Sequence, residues 1–359
     1  MDFTLDPEQE ALRDAVRGLV KGYDPATDAE RRRKVTGEEP GFDAALWSRL
    51  AEMGVLGLPF AEADGGMGAG PVEVAVVCEE IGRVLAPEPY VASVVLAGGL
   101  VAALGDDAQR ADLLSGLVSG ERLLAYADGR PGPDSGVVTA EPVIQGAQAD
   151  TIVWRVGGEV FVGPRPADAT AYRTHDGGRA ARLELDRDVV TPLGSGGDAT
   201  ETVELVLARA RIAACHEALG AMDSALRLTT SYLTTRKQFG VTLNRFQALT
   251  FRAADLYTAL ELTRSIVTWA TMVAAESDDP AAVRSAAARA KLQTARAARL
   301  IGQEAIQLHG GIGMTAEYAV GHYTSRLTAL NHWLGDAHEQ VAHLAATLTD
   351  HTVLEPLDA

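Results

Sequence analysis

"CHEALGAMDSALRLTTSYLTTRKQFG", residues 215–240, reads as a long helix that stops abruptly. Alanine, leucine and methionine recur along it at three- and four-residue steps, the spacing of one buried helix face. It closes on Arg236 and Lys237, with Gly240 just beyond. Taken alone, that end needs no function: cations suit the negative end of a helix dipole, and glycine accepts the left-handed conformation that caps a helix. Three more segments follow with the same periodicity. They are "FQALTFRAADLYTALELTRSIVTWATMVAAE" (246–276), "PAAVRSAAARAKLQTARAARLIGQEAIQLHG" (280–310) and a last one ending in "VAHLAATL" (341–348). Four such segments predict an up-and-down four-helix bundle over residues 208–359.

Working back from the bundle, the period changes. "TIVWRV" (151–156), "EVFVGP" (159–164), "ARLELD" (181–186) and "TVELVLA" (202–208) alternate apolar and polar residues between Gly, Pro and Asp. That pattern predicts a small β domain over 121–207, with few and short strands. Residues 1–120 read as helical. Asp6-Pro7-Glu8 supplies an N-cap, a first-turn proline and an early acidic group. "DAALWSRLAEMGVLGL" (43–58), closed by Gly54, and "VEVAVVCEEIGRVL" (72–85) are further helices. The glycines of "ADGGMGAGP" (63–71) follow no strand, so they are not a dinucleotide or P-loop phosphate cradle. The fold class is α+β, mainly α.

Composition narrows the function. The 359-residue chain carries a formal net charge of −17, which argues against nucleic acid or an anionic membrane surface as partner. A phosphate-bearing ligand then needs local help from arginines or helix N-termini. The acidic start has no basic n-region, and "YVASVVLAGGLVAALG" (90–105) is too short and glycine-rich to span a membrane, so a cytoplasmic protein is expected. Cys78 and Cys215 form no CxxC and read as buried thiols in a reducing compartment.

"RKQFGVTLNRFQ" (236–247) and "QLHGGIGMTAEYAV" (307–320), with "FTLDPEQEALRDAVR" (3–17), "LWSRLAEMGVLGLPFAEADGGMG" (46–68) and "EEIGRVLAPEP" (79–89), resemble the acyl-CoA dehydrogenase family in order and spacing over essentially the whole chain. The resemblance implies a helical domain, a β domain and a C-terminal four-helix bundle. It also implies a tetrameric enzyme that uses FAD to oxidise a CoA thioester between its α and β carbons. A glutamate takes the α proton while the β hydride goes to the flavin. The family's RKxFG motif, a later glutamine and the Q-x-x-G-G turn reach the FAD of a neighbouring subunit. Here those positions are Arg236, Phe239, Gln247, Gln307, Gly310 and Gly311. The chemistry suits them: a guanidinium fork binds a pyrophosphate, and paired glycines let backbone approach closely.

The other family features carry over differently. In "LNHWLGDAHEQ" (330–340) the glutamate position before the glycine is Leu334, and the alternative position at the start of the first bundle helix is Ala210. Neither side chain can accept a proton. Asp336 stands two residues on, which rotates it about 200° on a helix, and it reads as an N-cap. His332, Asp336 and His343 match no recognised metal-ligand spacing, so no metal site is expected, and His309 reads as a helix-end residue. The family's Arg-Asp-Ala near the last helix is Ser325-Arg326-Leu327 here. The family's "TEP"-like strand end and "W-I-T/S" hairpin, which hold the flavin ring, are replaced by "LLAYADGRPGPDSG" (123–136) and a direct passage from "VVTAEP" to "GAQADTIVW". The resemblance is therefore to the base-less chain of a heteromeric, α2β2 acyl-CoA dehydrogenase. It implies a partner chain of the same family, an acyl-CoA substrate that is bulky or steroid-derived, and an electron-transfer flavoprotein as acceptor. The alternatives are a self-sufficient flavin dehydrogenase with an unusual base such as Asp336, or a non-catalytic scaffold that has lost FAD.

Overall fold

The computed structural model describes residues 4–132 and 136–347. Its first part is helical: α1 (Pro7–Val20), α2 (Pro25–Gly37), α3 (Ala44–Glu52), α4 (Pro71–Val84), a π-helical stretch Tyr90–Gly98 running into α5 (Gly99–Leu104), and α6 (Asp107–Val118). The expected caps are in place. Asp6 accepts from the backbone N–H of Glu8 and Gln9 at 2.9 and 2.8 Å, while the Gln9 side chain accepts from Asp6 N–H at 3.1 Å. This reciprocal box fixes where α1 starts. Gly54, at φ 78, closes the turn after α3 as its sequence position predicts.

The sheet that follows has seven strands: β1 (Leu124–Pro131), β2 (Val138–Ile144), β3 (Thr151–Val156), β4 (Glu159–Pro164), β5 (Thr170–Arg173), β6 (Arg179–Glu184) and β7 (Thr191–Pro192). Their order is β5-β6-β2-β1-β3-β4-β7. The β1–β3 pair is parallel and the other neighbours are antiparallel. This is the small β domain with short strands that the sequence predicts, and the stretches 151–156, 159–164 and 181–186 fall on β3, β4 and β6. Alternation misleads in β3, where Ile152, Val153 and Trp154 are all fully buried. Both faces are covered there, so neither can afford polar residues.

"TVELVLA" is a helix, not a strand. It lies in α7 (Thr200–Thr235), which therefore begins ahead of the expected boundary at residue 208. Val203, Val206, Leu207 and Ala210 are all buried along it. Seven residues can satisfy a period of 2 and a period of 3.6 together, and here the helix wins because its other turns bury apolar faces too. The bundle continues with α8 (Gln247–Glu276), α9 (Pro280–His309), α10 (Ala319–His332) and α11 (Ala337–Thr347). α10 is a further helix ahead of a break at Leu334 and Gly335, at φ 61 and 95, and the last helix, α11, starts after Asp336 as its reading as an N-cap predicts. Its expected continuation past Thr347 lies outside the described residues. Gly240 also differs from expectation. It does not cap α7 but forms, with Phe239 (φ 53 and φ 83 for Gly240), the turn of a hairpin joining β8 (Lys237–Gln238) to β9 (Val241–Thr242). Two consecutive positive φ values are what a type I′ hairpin demands.

Arg326 of α10 locks the three parts together. Its guanidinium donates to Glu217 of α7 at 2.7 Å and to Asp176, in the β5–β6 turn, at 2.8 Å. Arg32 of α2 donates to the carbonyls of Asp176 and Leu85 at 2.9 and 3.0 Å. The Asp176 and Glu217 side chains are 3% and 6% exposed, and the Arg326 cation pulls the Asp176 carboxyl down to about 2 against the cost of burial. Removing the cation strands two buried anions. Arg326→Leu is expected to cost about 2–4 kcal/mol of stability in urea denaturation, toward the lower end of the range for broken buried pairs because the arginine is partly exposed. Combining it with Asp176→Asn and Glu217→Gln should recover part of that loss.

Candidate functional site

The residues that the sequence singles out fall into two sets, at different places in the fold. The first is the end of the bundle where α7 and α9 stop. Tyr232 of α7 stacks on His309 of α9 at 4.5 Å between ring centroids, and Tyr318 closes on His309 at 4.8 Å. This cluster holds the α7 and α9 ends side by side. His309 is buried, its Nδ1 lies 2.7 Å from the Ala305 carbonyl, and desolvation lowers its pKa, so it stays neutral and structural.

Around that anchor the side chains point outward. Arg236, Gln247 and Gln307 are exposed, and Phe239 is 91% exposed with its ring edge on Phe246 at 6.2 Å. Met314, just past the glycine turn, is 82% exposed. No hydrogen bond or ion pair engages the Arg236 side chain among the described residues. Gly310 adopts φ 66, ψ −143, a region in which a side chain is strained, and a Cβ on Gly310 or Gly311 would meet only open space. Cations, amides, an aromatic ring and bare backbone thus gather on an open surface of one chain.

The second set lines a cleft of about 630 Å³ between the sheet, the Tyr90–Gly98 segment and the α10–α11 loop. Leu334 and Gly335 sit in its wall together with Tyr126, Arg155, Arg211 and Trp333. Leu334 holds a left-handed backbone that is costly for a branched side chain, and its carbonyl accepts from Arg211 Nε at 2.9 Å. Arg155 pairs with Glu204 at 2.9 Å. Ala210 is fully buried within α7. Asp336 accepts from the backbone N–H of His338 and Glu339 at 2.9 and 3.0 Å, and these bonds hold its carboxyl below the usual range. A carboxylate so engaged is a cap and a poor base. Between β2 and β3, residues 145–150 make a turn without any strand pair. No group of His, Cys, Asp and Glu suited to a metal ion occurs among the described residues, and Cys78 and Cys215 are buried free thiols.

Sequence reasoning did not single out Arg211 or Arg155. Each stands in an apolar run, "ARARIAAC" and "TIVWRV", and an arginine interrupting such a run was the available signal.

A helical first part, a seven-stranded sheet and a helical bundle with an open donor surface at its end define a three-part fold. Family models described as "Acyl-CoA dehydrogenase, N-terminal domain" and "Acyl-CoA dehydrogenase, C-terminal domain" match residues 6–121 and 200–349. The acyl-CoA dehydrogenase IpdE2 of Mycobacterium tuberculosis is 32% identical over 326 residues, covering 90% of this chain and 92% of that one. The chain belongs to the acyl-CoA dehydrogenase family. Among solved structures, the ChsE4-ChsE5 complex from Mycobacterium tuberculosis matches with TM-score 0.87 and 27% identity, covering 98% of this chain and 100% of that one. A structure described as a "Tcur3481-Tcur3483 steroid ACAD G363A variant" matches with TM-score 0.83 and 29% identity over 97% of this chain and 99% of that one. No helix among the described residues is long and apolar enough to cross a membrane.

Beside the cleft lies Glu88, 5% exposed, with Asp43 N–H donating to its Oε1 at 3.3 Å. Desolvation pushes its carboxyl up to about 8. A carboxyl whose pKa is raised on folding binds more protons folded than unfolded between the two values. Stability should therefore fall as pH rises from 4.5 to about 8, then level off. Glu88→Gln should abolish that fall, read as the difference between wild-type and variant unfolding curves across pH.

Proposed function

We propose that this chain is the base-less subunit of a two-chain FAD-dependent acyl-CoA dehydrogenase, completing the FAD site of a second family member that carries the catalytic glutamate. The observation that carries this reading is a contrast within one chain. Both glutamate positions hold residues that cannot take a proton, Leu334 and Ala210, while the side chains of Arg236, Gln247 and Gln307 stand exposed without partners among the described residues. The similarity to two-chain assemblies supports it.

The residues fit the part. Arg236 offers a permanent charge and a donor fork to a pyrophosphate. Gly310 and Gly311 leave backbone open to close approach, and Gln247 and Gln307 add amide donors and acceptors. Phe239, almost wholly exposed, supplies apolar area that a partner would cover. When bound, FAD supplies the acceptor for the hydride leaving the β carbon of an acyl-CoA. The likeness to an assembly described as a steroid ACAD favours a bulky acyl group. An electron-transfer flavoprotein as reoxidant follows from the family resemblance alone.

A self-sufficient enzyme with Asp336 as base draws less support, because that carboxylate caps α11. A scaffold without cofactor leaves the unpartnered Arg236 unexplained. The test is FAD absorbance of this chain alone and co-expressed with a family member bearing the glutamate. Colourless alone and about one FAD per heterodimer is the expected result, and a full flavin complement on the isolated chain would overturn it. Arg236→Ala should bleach the complex while leaving the chain's own stability within about 0.5 kcal/mol, as for other exposed sites.

A further inference from the structure

The cleft beside Leu334 does not end where α10 and the sheet meet. Ala92, Ile144, Thr174, Ala329 and Trp333 line both the cleft and a smaller inner chamber of about 90 Å³ at the junction of the three parts. That space holds several waters, or a carboxylate with a short alkyl stem.

Three residues that line the chamber carry buried polar atoms without a hydrogen-bond partner among the described residues. Glu88, Gln145 and Arg179 are 5%, 4% and 5% exposed, and all three line it. Glu88 Oε2, Gln145 Oε1 and Arg179 Nε and Nη1 have no hydrogen-bond partner among the described residues. Arg179 donates through Nη2 to the Glu38 carbonyl at 3.0 Å, and its nearest carboxylate, Glu39, approaches Nε only to 3.5 Å from a side chain 72% exposed. Buried polar atoms of this kind are rare in native proteins, and four on three residues lining one chamber point to a polar occupant that those side chains turn to meet.

Charge decides which kind. Arg326 is matched by Asp176 and Glu217, and Arg32 is spent on two carbonyls. Arg179 remains the poorly matched cation, and Glu88, neutral near pH 7, adds a donor rather than a negative charge. Apolar neighbours Val91, Ala92, Ile144 and Leu330 complete the wall. We propose that the inner chamber is a binding site for the carboxylate end of a slender amphipathic acid, seated on Arg179, Glu88 and Gln145 and entering through the Leu334 cleft. An amide flip lets Gln145 turn its NH2 to the same carboxylate. The site is separate from the bundle-end donors and does not depend on FAD.

The probe is valerate, with valeramide as its neutral counterpart, titrated into the full chain by calorimetry and by thermal unfolding. Saturable binding of valerate with a rise in Tm is expected, with valeramide at least about tenfold weaker. Arg179→Met should lower valerate affinity about tenfold, whereas Arg236→Ala should leave it unchanged. Should Arg179→Met fail to fold, Gln145→Asn, which tolerates the left-handed backbone at that position (φ 57), shortens the amide and should weaken valerate binding severalfold. Equal binding of acid and amide, no saturable binding of valerate, or full affinity in the folded variant would overturn the proposal and leave water as the chamber's occupant.

Discussion

The arrangement depends on one buried ionic junction. Arg326 reaches from the bundle to Glu217 in α7 and to Asp176 in the sheet, while Arg32 from the first part binds the Asp176 carbonyl. Desolvating such charges costs several kcal/mol each, and only good geometry and full hydrogen bonding offset that. The pairing therefore contributes more to positioning than to net stability. A sheet shifted against the bundle would leave Asp176 and Glu217 as buried anions. The same residues edge the inner chamber, so the junction fixes its shape as well.

Beside the junction, backbone strain and one hydrogen bond shape the α10–α11 loop. Leu334 adopts a left-handed conformation that a glycine would take without strain, and Arg211 holds its carbonyl. Lys291, buried in α9, donates to the Leu330 carbonyl just upstream, so cations on α7 and α9 satisfy the end of α10 from two sides. This is a loop built to hold a shape. In this chain it places an aliphatic residue, Leu334, in the wall of the cleft.

The bundle end follows a different logic. Its interior is stapled by Tyr232, His309 and Tyr318, so its exterior can carry groups that contribute nothing to folding. Phe239 and Met314 leave apolar side chains exposed to water on that exterior. This end is therefore packed inside and open outside, the feature on which the proposed shared site rests.

The sequence by itself determined most of the helices, the caps at Asp6 and Asp336 and the exposed residues at the bundle end, because these rest on local periods, local hydrogen bonds and a motif contiguous in the chain. Asp6 with Gln9 and the run from Arg236 to Phe239 interact with residues a few positions away. It determined too that Leu334 and Ala210 cannot act as bases, since that follows from residue type. It misread "TVELVLA" because seven residues satisfy two periods, and it undercounted the sheet because short strands such as Thr170–Arg173 gain their identity from a partner strand. Only the tertiary structure decided the junction and the inner chamber. Arg326, Asp176, Glu217, Arg179 and Glu88 come from separate stretches, and an ion pair or an unsatisfied buried atom exists only once folding has removed water from between groups far apart in the chain.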